Sequence, residues 1–241
     1  MSKLHYKAVI LVLSSDNNTI YKNAKSVWKK YMNTDYNFRV FFVYGKLSEQ
    51  LFDQDTSCDL IYEDIKENYP VFIEKTIRAM EFINQNFTYD YFIRTNLTTF
   101  WDFKNLHKHL DTLPKDQNFY SGDGPLHSSY GVYLSGTDTI VSRNMIDAIL
   151  NNKDKINYNL IEDVAMGIFF HGILKAPLYP NRIVFFEDVQ STNETDKIVQ
   201  RIEYGINSQK DHYRVKSRNQ REELDLYIYK ILLKEIYNIN L

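Results

Sequence analysis

The first half of the chain alternates continuous apolar runs with stretches of helical period. Residues 6–14 form an apolar run that ends in Ser14-Ser15-Asp16-Asn17-Asn18, a pattern that predicts a buried strand followed by a polar turn. A helix is expected over about 20–32, a second buried strand over 38–44 and a short third over 59–62. Phe72, Ile73, Ile77, Met80 and Ile83 recur at helical spacing within 71–86, and 89–95 reads as the next strand. Strands separated by helical crossovers pair in parallel with right-handed connections, which gathers the functional loops at one edge of a sheet.

The second half is less regular. It predicts a helix over 104–113, strands near 119–121 and 132–134, and helices over 143–151 and 162–174. Pro177 and Pro180 close that segment, 182–186 reads as a strand, and 222–237 as an amphipathic closing helix. The polar stretch 190–209 is expected to be a mobile loop. No internal repeat and no Pro/Gly/Ser linker interrupts the chain, so one α/β domain with a mostly parallel central sheet flanked by helices is expected over 1–241.

Composition sharpens this picture in three ways. At 241 residues and 44% hydrophobic content the chain can bury a large core, which excludes a disordered protein. The 29 Lys and Arg nearly balance the 31 Asp and Glu, so no global field favours nucleic acid or an anionic membrane, and an anion site must be local. Cys58 is the single cysteine, which excludes an intrachain disulfide framework and a cysteine-based zinc site and suits a reducing compartment. The apolar run 8–13 is too short for a secretion signal or a bilayer span, so a cytoplasmic protein without membrane insertion is expected.

Three segments carry the candidate chemistry. Tyr89-Asp90-Tyr91-Phe92-Ile93-Arg94-Thr95-Asn96-Leu97-Thr98 is a strand running into a polar turn, and in a parallel sheet such a turn faces a ligand crevice or is an ordinary strand end. Gly131-Val132-Tyr133-Leu134-Ser135-Gly136 supplies a small-residue turn, and Glu162-Asp163-Val164-Ala165-Met166-Gly167 places two acids at a helix start. Upstream lie Asp59-Leu60-Ile61-Tyr62 and Glu74-Lys75-Thr76. In this order, over roughly residues 55–175, the segments resemble the β-1,3-galactosyltransferase and Fringe type of inverting glycosyltransferase.

The resemblance implies a GT-A fold, with a nucleotide-binding half over about 1–100 and an acceptor-binding half over about 101–241. It implies a nucleotide-diphosphate sugar donor, a UDP-sugar foremost, and a glycan or other hydroxyl acceptor. Asn96-Leu97-Thr98 stands where that family has its metal-binding Asp-x-Asp. A hard divalent cation prefers anionic oxygens, so Mn or Mg is not favoured at this turn and no metal ligand is assigned. The leaving diphosphate then needs another partner. Strand-like alternation would put His212, Arg214, Lys216 and Arg218 in one basic row able to pair with phosphate, or to form a solvated surface. Related enzymes use a histidine of this region as a metal ligand, a second role open to His212, and Arg94 is a further phosphate partner.

Asp163 is the expected base, taking the acceptor hydroxyl's proton; the alternative is that Glu162 and Asp163 only cap the helix. Val12, Leu13, Ser14, Ser15 and Asn17 are expected to line the donor's base and ribose, with Lys75, Asn96 and Thr98 near its phosphates. Ser135 and Gly136 would let the backbone approach the donor sugar or simply turn the chain. Glu162, His127 and Tyr130 are the candidate acceptor contacts, the last two alternatively a surface loop. A non-catalytic nucleotide-sugar-binding protein is the second reading, supported by Asn96 and Thr98, and a metal-dependent enzyme using Asp90, Asp102 or Asp123 the third. Without a membrane anchor, cytoplasmic glycan assembly in a bacterium or a large DNA virus is the expected setting, and the richness in Tyr, Phe, Asn, Ile and Lys is read as the mark of an AT-rich genome more than of function.

Overall fold

Apolar runs that are buried on both faces become central strands. In the computed structural model, which describes residues 3–15, 18–33, 35–47, 57–66, 72–179 and 183–241, this governs the first half of the chain. The elements are β1 (Leu4–Leu13), α1 (Thr19–Tyr31), β2 (Phe38–Tyr44), β3 (Asp59–Ile61), α2 (Phe72–Asn86), β4 (Phe87–Asn96), β5 (Thr99–Trp101) and α3 (Phe103–Leu110). They continue with β6 (Tyr120–Ser121), β7 (Leu126–Ser128), β8 (Gly131–Tyr133), β9 (Asp138–Ser142), α4 (Arg143–Leu150) and α5 (Glu162–Gly167). The chain ends with β10 (Leu178–Tyr179), β11 (Ile183–Phe185), α6 (Thr195–Asn207), β12 (His212–Arg214) and α7 (Arg221–Tyr237). It divides into two compact units, the first comprising Met1–Ser15, Asn37–Asn96 and Leu113–Asn181, the second the remainder.

The first unit holds a seven-stranded sheet in the order β10-β6-β9-β4-β1-β2-β3. β1 pairs in parallel with β2 on one side and β4 on the other, and β9 runs antiparallel to both β4 and β6. Ala8 to Val12 of β1 and Tyr91 to Thr95 of β4 are buried, so these strands form the spine of the unit. Against them α2 packs Ile73, Ile77, Met80 and Ile83, all buried in one core with Met145, Ile146 and Ile149 of α4. Each such side chain contributes about 1.5–3 kcal/mol by leaving water. The chain builds β1, β2 and β3 in one direction and then returns to place β4 on the opposite flank of β1. That reversal makes the carboxyl ends of β1 and β4 the topological switch point, where open α/β sheets bind ligands.

The second unit is held by aromatic packing. Tyr31 stacks on Trp28 at 5.3 Å and on Tyr237 at 5.0 Å, and lies 4.5 Å from Phe100. The Tyr237 hydroxyl accepts from Phe103 N at 2.9 Å and donates to Trp101 O at 2.6 Å, which ties α7 to the start of α3. β12 lies between β11, to which it is parallel, and β5, to which it is antiparallel. Asn18 caps α1, its side-chain oxygen accepting from Tyr21 N at 2.9 Å.

The fold departs from the sequence expectations at four places. Residues 195–207 form α6 rather than a mobile loop, because Ile198, Ile202 and Gly205 make a narrow buried stripe along the helix. Residues 131–133 form a small hairpin with β7 instead of joining the central sheet, and β9, which the apolar pattern did not reveal, takes the sheet position next to β4. The helix expected over 162–174 is α5 followed by a π-helical stretch, Ile168–Ile173. Beyond Arg214 the strand-like alternation stops, so residues 212–218 do not form one strand face.

Gly167 sits where α5 crosses β8: a Cβ there would lie 2.3 Å from Tyr133 Cβ and 2.6 Å from Tyr133 Cα. Gly167→Ala is expected to destabilise the protein by about 1–3 kcal/mol through this overlap. Urea denaturation checks it, and an unchanged midpoint would show that the crossing has room to spare.

Candidate functional site

The carboxyl ends of β1 and β4 gather buried polar side chains of the first unit. β1 and β4 are in register here, with Leu11 opposite Arg94 and Leu13 opposite Asn96. Arg94, only 8% exposed, grips Glu162, 2% exposed, in a two-pronged pair: Arg94 Nε donates to Glu162 Oε1 at 2.8 Å and Nη2 donates to Oε2. Thr76 Oγ1 adds a 3.2 Å bond to Glu162 Oε1. Burial pushes the Glu162 carboxyl up from its ordinary value, and the Arg94 charge and hydrogen bonds oppose that rise. The next turn of the network is Lys75, 2% exposed, which donates to Ser14 O at 3.0 Å and sits 5.0 Å over the Phe72 ring.

Gly136 completes the Arg94 niche. A Cβ at this position would fall 2.0 Å from Arg94 Nη1, so the absence of a side chain makes room for the guanidinium. Around it, Thr95 Oγ1 donates to Thr137 O at 2.6 Å, and the buried Asp138 accepts from Thr137 Oγ1 at 2.6 Å and from Asp123 N at 3.0 Å. Ser135 N donates to Asp123 O at 2.7 Å. The turn 135–138 is thereby fixed to β4 by hydrogen bonds rather than left to flex.

Asp163 follows Glu162 in the first turn of α5 and is half-buried, its Oδ1 accepting from Val164 N at 2.9 Å. Neither acid acts as the residue before the helix; that position is Ile161, which makes no side-chain cap bond. The Tyr120 hydroxyl is pushed up by burial and by the nearby Asp163 and Glu162 charges, with Arg94 opposing, which puts all four groups in one electrostatic neighbourhood. Tyr120 was not anticipated as a site residue; its partners come from three distant chain segments.

The sequence candidates separate into groups. In the first unit Lys75 meets Ser14, and Arg94 meets Glu162 and Gly136, with Asp163 next to Glu162 in the chain; Val12 is buried in β1, Leu13, Ser15, Asn96 and Ser135 are half-buried, and Asn17 lies outside the described residues. Arg94 and Glu162, expected at a phosphate and at an acceptor, face each other. Gly136 serves the Arg94 guanidinium, where close approach to a sugar was expected. His127 and Tyr130 are exposed on the β7–β8 hairpin.

In the second unit, His212 is buried beneath Trp101, ring centroids 4.7 Å apart, and its Nδ1 lies 2.6 Å from Asp211 Oδ1, while His109 Nδ1 meets Asp211 Oδ2. Arg214 Nη1 donates to Thr99 Oγ1 at 3.5 Å, and Lys216 and Arg218 are exposed, so the four basic residues are not a single row. Trp101 is part of the core. Asp102 caps α3, accepting from Asn105 N at 3.0 Å.

A divalent cation does not fit the turn where the resemblance would put one. Asn96-Leu97-Thr98 has no carboxylate, Leu97 O already accepts from Trp28 Nε1 at 3.1 Å, and Thr98 O accepts from Val215 N at 2.9 Å. Among the described residues no three His, Cys, Asp or Glu side chains cluster as metal ligands. No helix among them is long and apolar enough to cross a membrane.

No family model matches the chain, and no curated protein matches it in sequence. Solved structures do. The chain is similar to a glycosyltransferase involved in the glycosylation of the major capsid of PBCV-1, with a TM-score of 0.52 at 10% identity over 92% of this chain and 98% of that one. Mannosyltransferase PcManGT from Pyrobaculum calidifontis, in complex with GDP-Man and Mn2+, gives 0.49 at 8% identity over 99% of this chain and 73% of that one. An active-site mutant of LgtC gives 0.48 at 11% identity over 96% and 97%. The fold is thus an α/β fold that also occurs in glycosyltransferases.

Two outcomes check the electrostatics. Glu162→Ala strands a buried guanidinium and is expected to cost about 3–5 kcal/mol in denaturant unfolding, whereas less than about 1 kcal/mol would mean that Arg94 finds water or another partner. Burial raises the Asp211 carboxyl, but hydrogen bonds from His109 and His212 outweigh it and hold the group well below the usual carboxylate range. A depressed folded-state value stabilises above the unfolded value and is lost on acidification. The stability advantage of the wild type over Asp211→Asn should therefore be full at neutral pH and shrink below about pH 4. Melting curves across that range decide it.

Proposed function

We propose that the chain is a glycosyltransferase of the GT-A type that moves a sugar from a nucleotide-diphosphate donor to an acceptor hydroxyl with inversion. The observation that carries the proposal is the buried Arg94–Glu162 pair at the switch point of the sheet, which anchors the first turn of α5 and so holds Asp163 beside it. The fold likeness to a glycosyltransferase supports the reaction class, and the position at the carboxyl ends of β1 and β4 supports a nucleotide site. Asp163 is the base: its carboxylate takes the acceptor proton as the acceptor oxygen attacks the anomeric carbon and the bond to the diphosphate breaks. Glu162 and Arg94 are positioning residues. The base and ribose lie along Leu13, Ser14 and Ser15, a UDP-sugar being the donor we test first.

Lys75, fixed to Ser14 O at the end of β1, is the cation of this unit that we assign to the diphosphate. Because the Asn96 turn offers a poor donor set for Mn or Mg, transfer is expected to proceed without added metal. His127 and Tyr130, exposed on their hairpin, are assigned to the acceptor.

Nucleotide release from UDP- and GDP-sugars, with and without an acceptor panel, tests the proposal. Asp163→Asn should lower kcat by at least about 100-fold with an unchanged melting temperature, in line with loss of a general base. Full activity of that variant would remove the assigned base, and abolition of wild-type transfer by a chelator would remove the metal-free version. The missing carboxylates at Asn96 and Thr98 favour one rival, a nucleotide-sugar-binding protein without turnover, and tight donor binding with neither transfer nor donor hydrolysis would select it.

A further inference from the structure

The second unit contains a cavity of about 820 Å³ that takes no part in the proposed transfer. It is lined by the end of the α1–β2 connection, the first turns of α3, and the carboxyl-terminal ends of α6 and α7. Its volume lies within the range of small-molecule sites. Two aromatic rings lie in the wall, Tyr36 and Tyr237. Tyr237 is fixed in advance: its ring stacks on Tyr31 at 5.0 Å and its hydroxyl is held between Phe103 N and Trp101 O. A ligand that packs on it therefore orders no side chain, which removes one of the usual costs of binding.

The polar lining narrows the chemistry further. Asp35, Asp102 and Glu235 offer carboxylates, and Lys104 and Lys108 offer ammonium groups from one face of α3 at a spacing of one turn. An anion entering the cavity would meet three acids, and a polycation two lysines. A polyhydroxyl compound meets neither problem, because each hydroxyl both donates and accepts and so uses the mixed lining fully. The apolar C–H face of a sugar ring also suits an aromatic wall. The Asp102 carboxylate already caps α3, accepting from Asn105 N at 3.0 Å.

We propose that this cavity is a binding site for a neutral saccharide, seated against Tyr36 and Tyr237 and hydrogen-bonded by Asp35, Glu235, Lys104 and Lys108. Binding at this cavity is independent of the transfer reaction, and loss of either leaves the other standing.

Saturation-transfer NMR on the full chain tests it, with methyl glucoside, methyl galactoside and methyl mannoside as neutral probes and with sialic acid and spermidine as anionic and cationic ones. At least one neutral glycoside should give a signal that drops at least fivefold in Asn207→Trp, which fills the cavity from an exposed position, and in Tyr36→Ala, which removes an aromatic wall. Melting curves identify any variant that fails to fold, and the other variant then decides the outcome. The proposal is overturned if no neutral glycoside gives a signal, if only the charged probes do, or if the signal survives in the folded variants.

Discussion

A bidentate pair between the guanidinium of Arg94 and the carboxyl of Glu162 lies almost out of reach of water at the carboxyl edge of the first unit's sheet. Each charge alone would be expensive to bury, so each makes the other tolerable, and the pair holds only if both side chains stay in one geometry. Several neighbours are arranged to that end. Gly136 leaves the space that the guanidinium fills, Thr76 supplies a further donor to Glu162, and β1 and β4 hold Arg94 at a fixed height in the sheet. Through Glu162 the constraint passes to the first turn of α5, and hence to Asp163.

The second unit solves its polar burial differently. Asp211 is fully buried and shared by two histidines, and the surrounding order comes from interlocked aromatic rings instead of a sheet spine. Trp28, Tyr31 and Tyr237 have few rotatable bonds and large contact areas, so they fix α1 and α7 together with little loss of side-chain freedom. The same rigidity gives the cavity beside α3 a wall that needs no rearrangement to receive a ligand.

Much of this architecture was legible in the chain because buried parallel strands read as unbroken apolar runs: residues 38–44 are β2 without adjustment, and β1, β4 and α2 agree within a few residues. β9 escaped because it begins with Asp138 and Thr139, polar residues whose burial depends on partners in the 123–137 segment and on β4. α6 escaped because only Ile198, Ile202 and Gly205 mark its buried side, a stripe too narrow to outweigh the polar residues around it. At the site, Ser14, Lys75, Arg94, Glu162 and Asp163 were legible as residues, yet the pairing of Arg94 with Glu162 was not. Two side chains that each suit a ligand can suit one another, and nothing in their spacing of 68 positions says which.

Whether the carboxyl edge of β1 and β4 receives a nucleotide-diphosphate sugar is best measured by titrating isotope-labelled protein with UDP- and GDP-sugars and following backbone amide shifts. A donor bound at this edge predicts saturable changes centred on Ser14, Ser15, Lys75 and the 135–138 turn, with Asp163 among the affected residues. Amide changes confined to other parts of the molecule, or none with any nucleotide sugar, would contradict it.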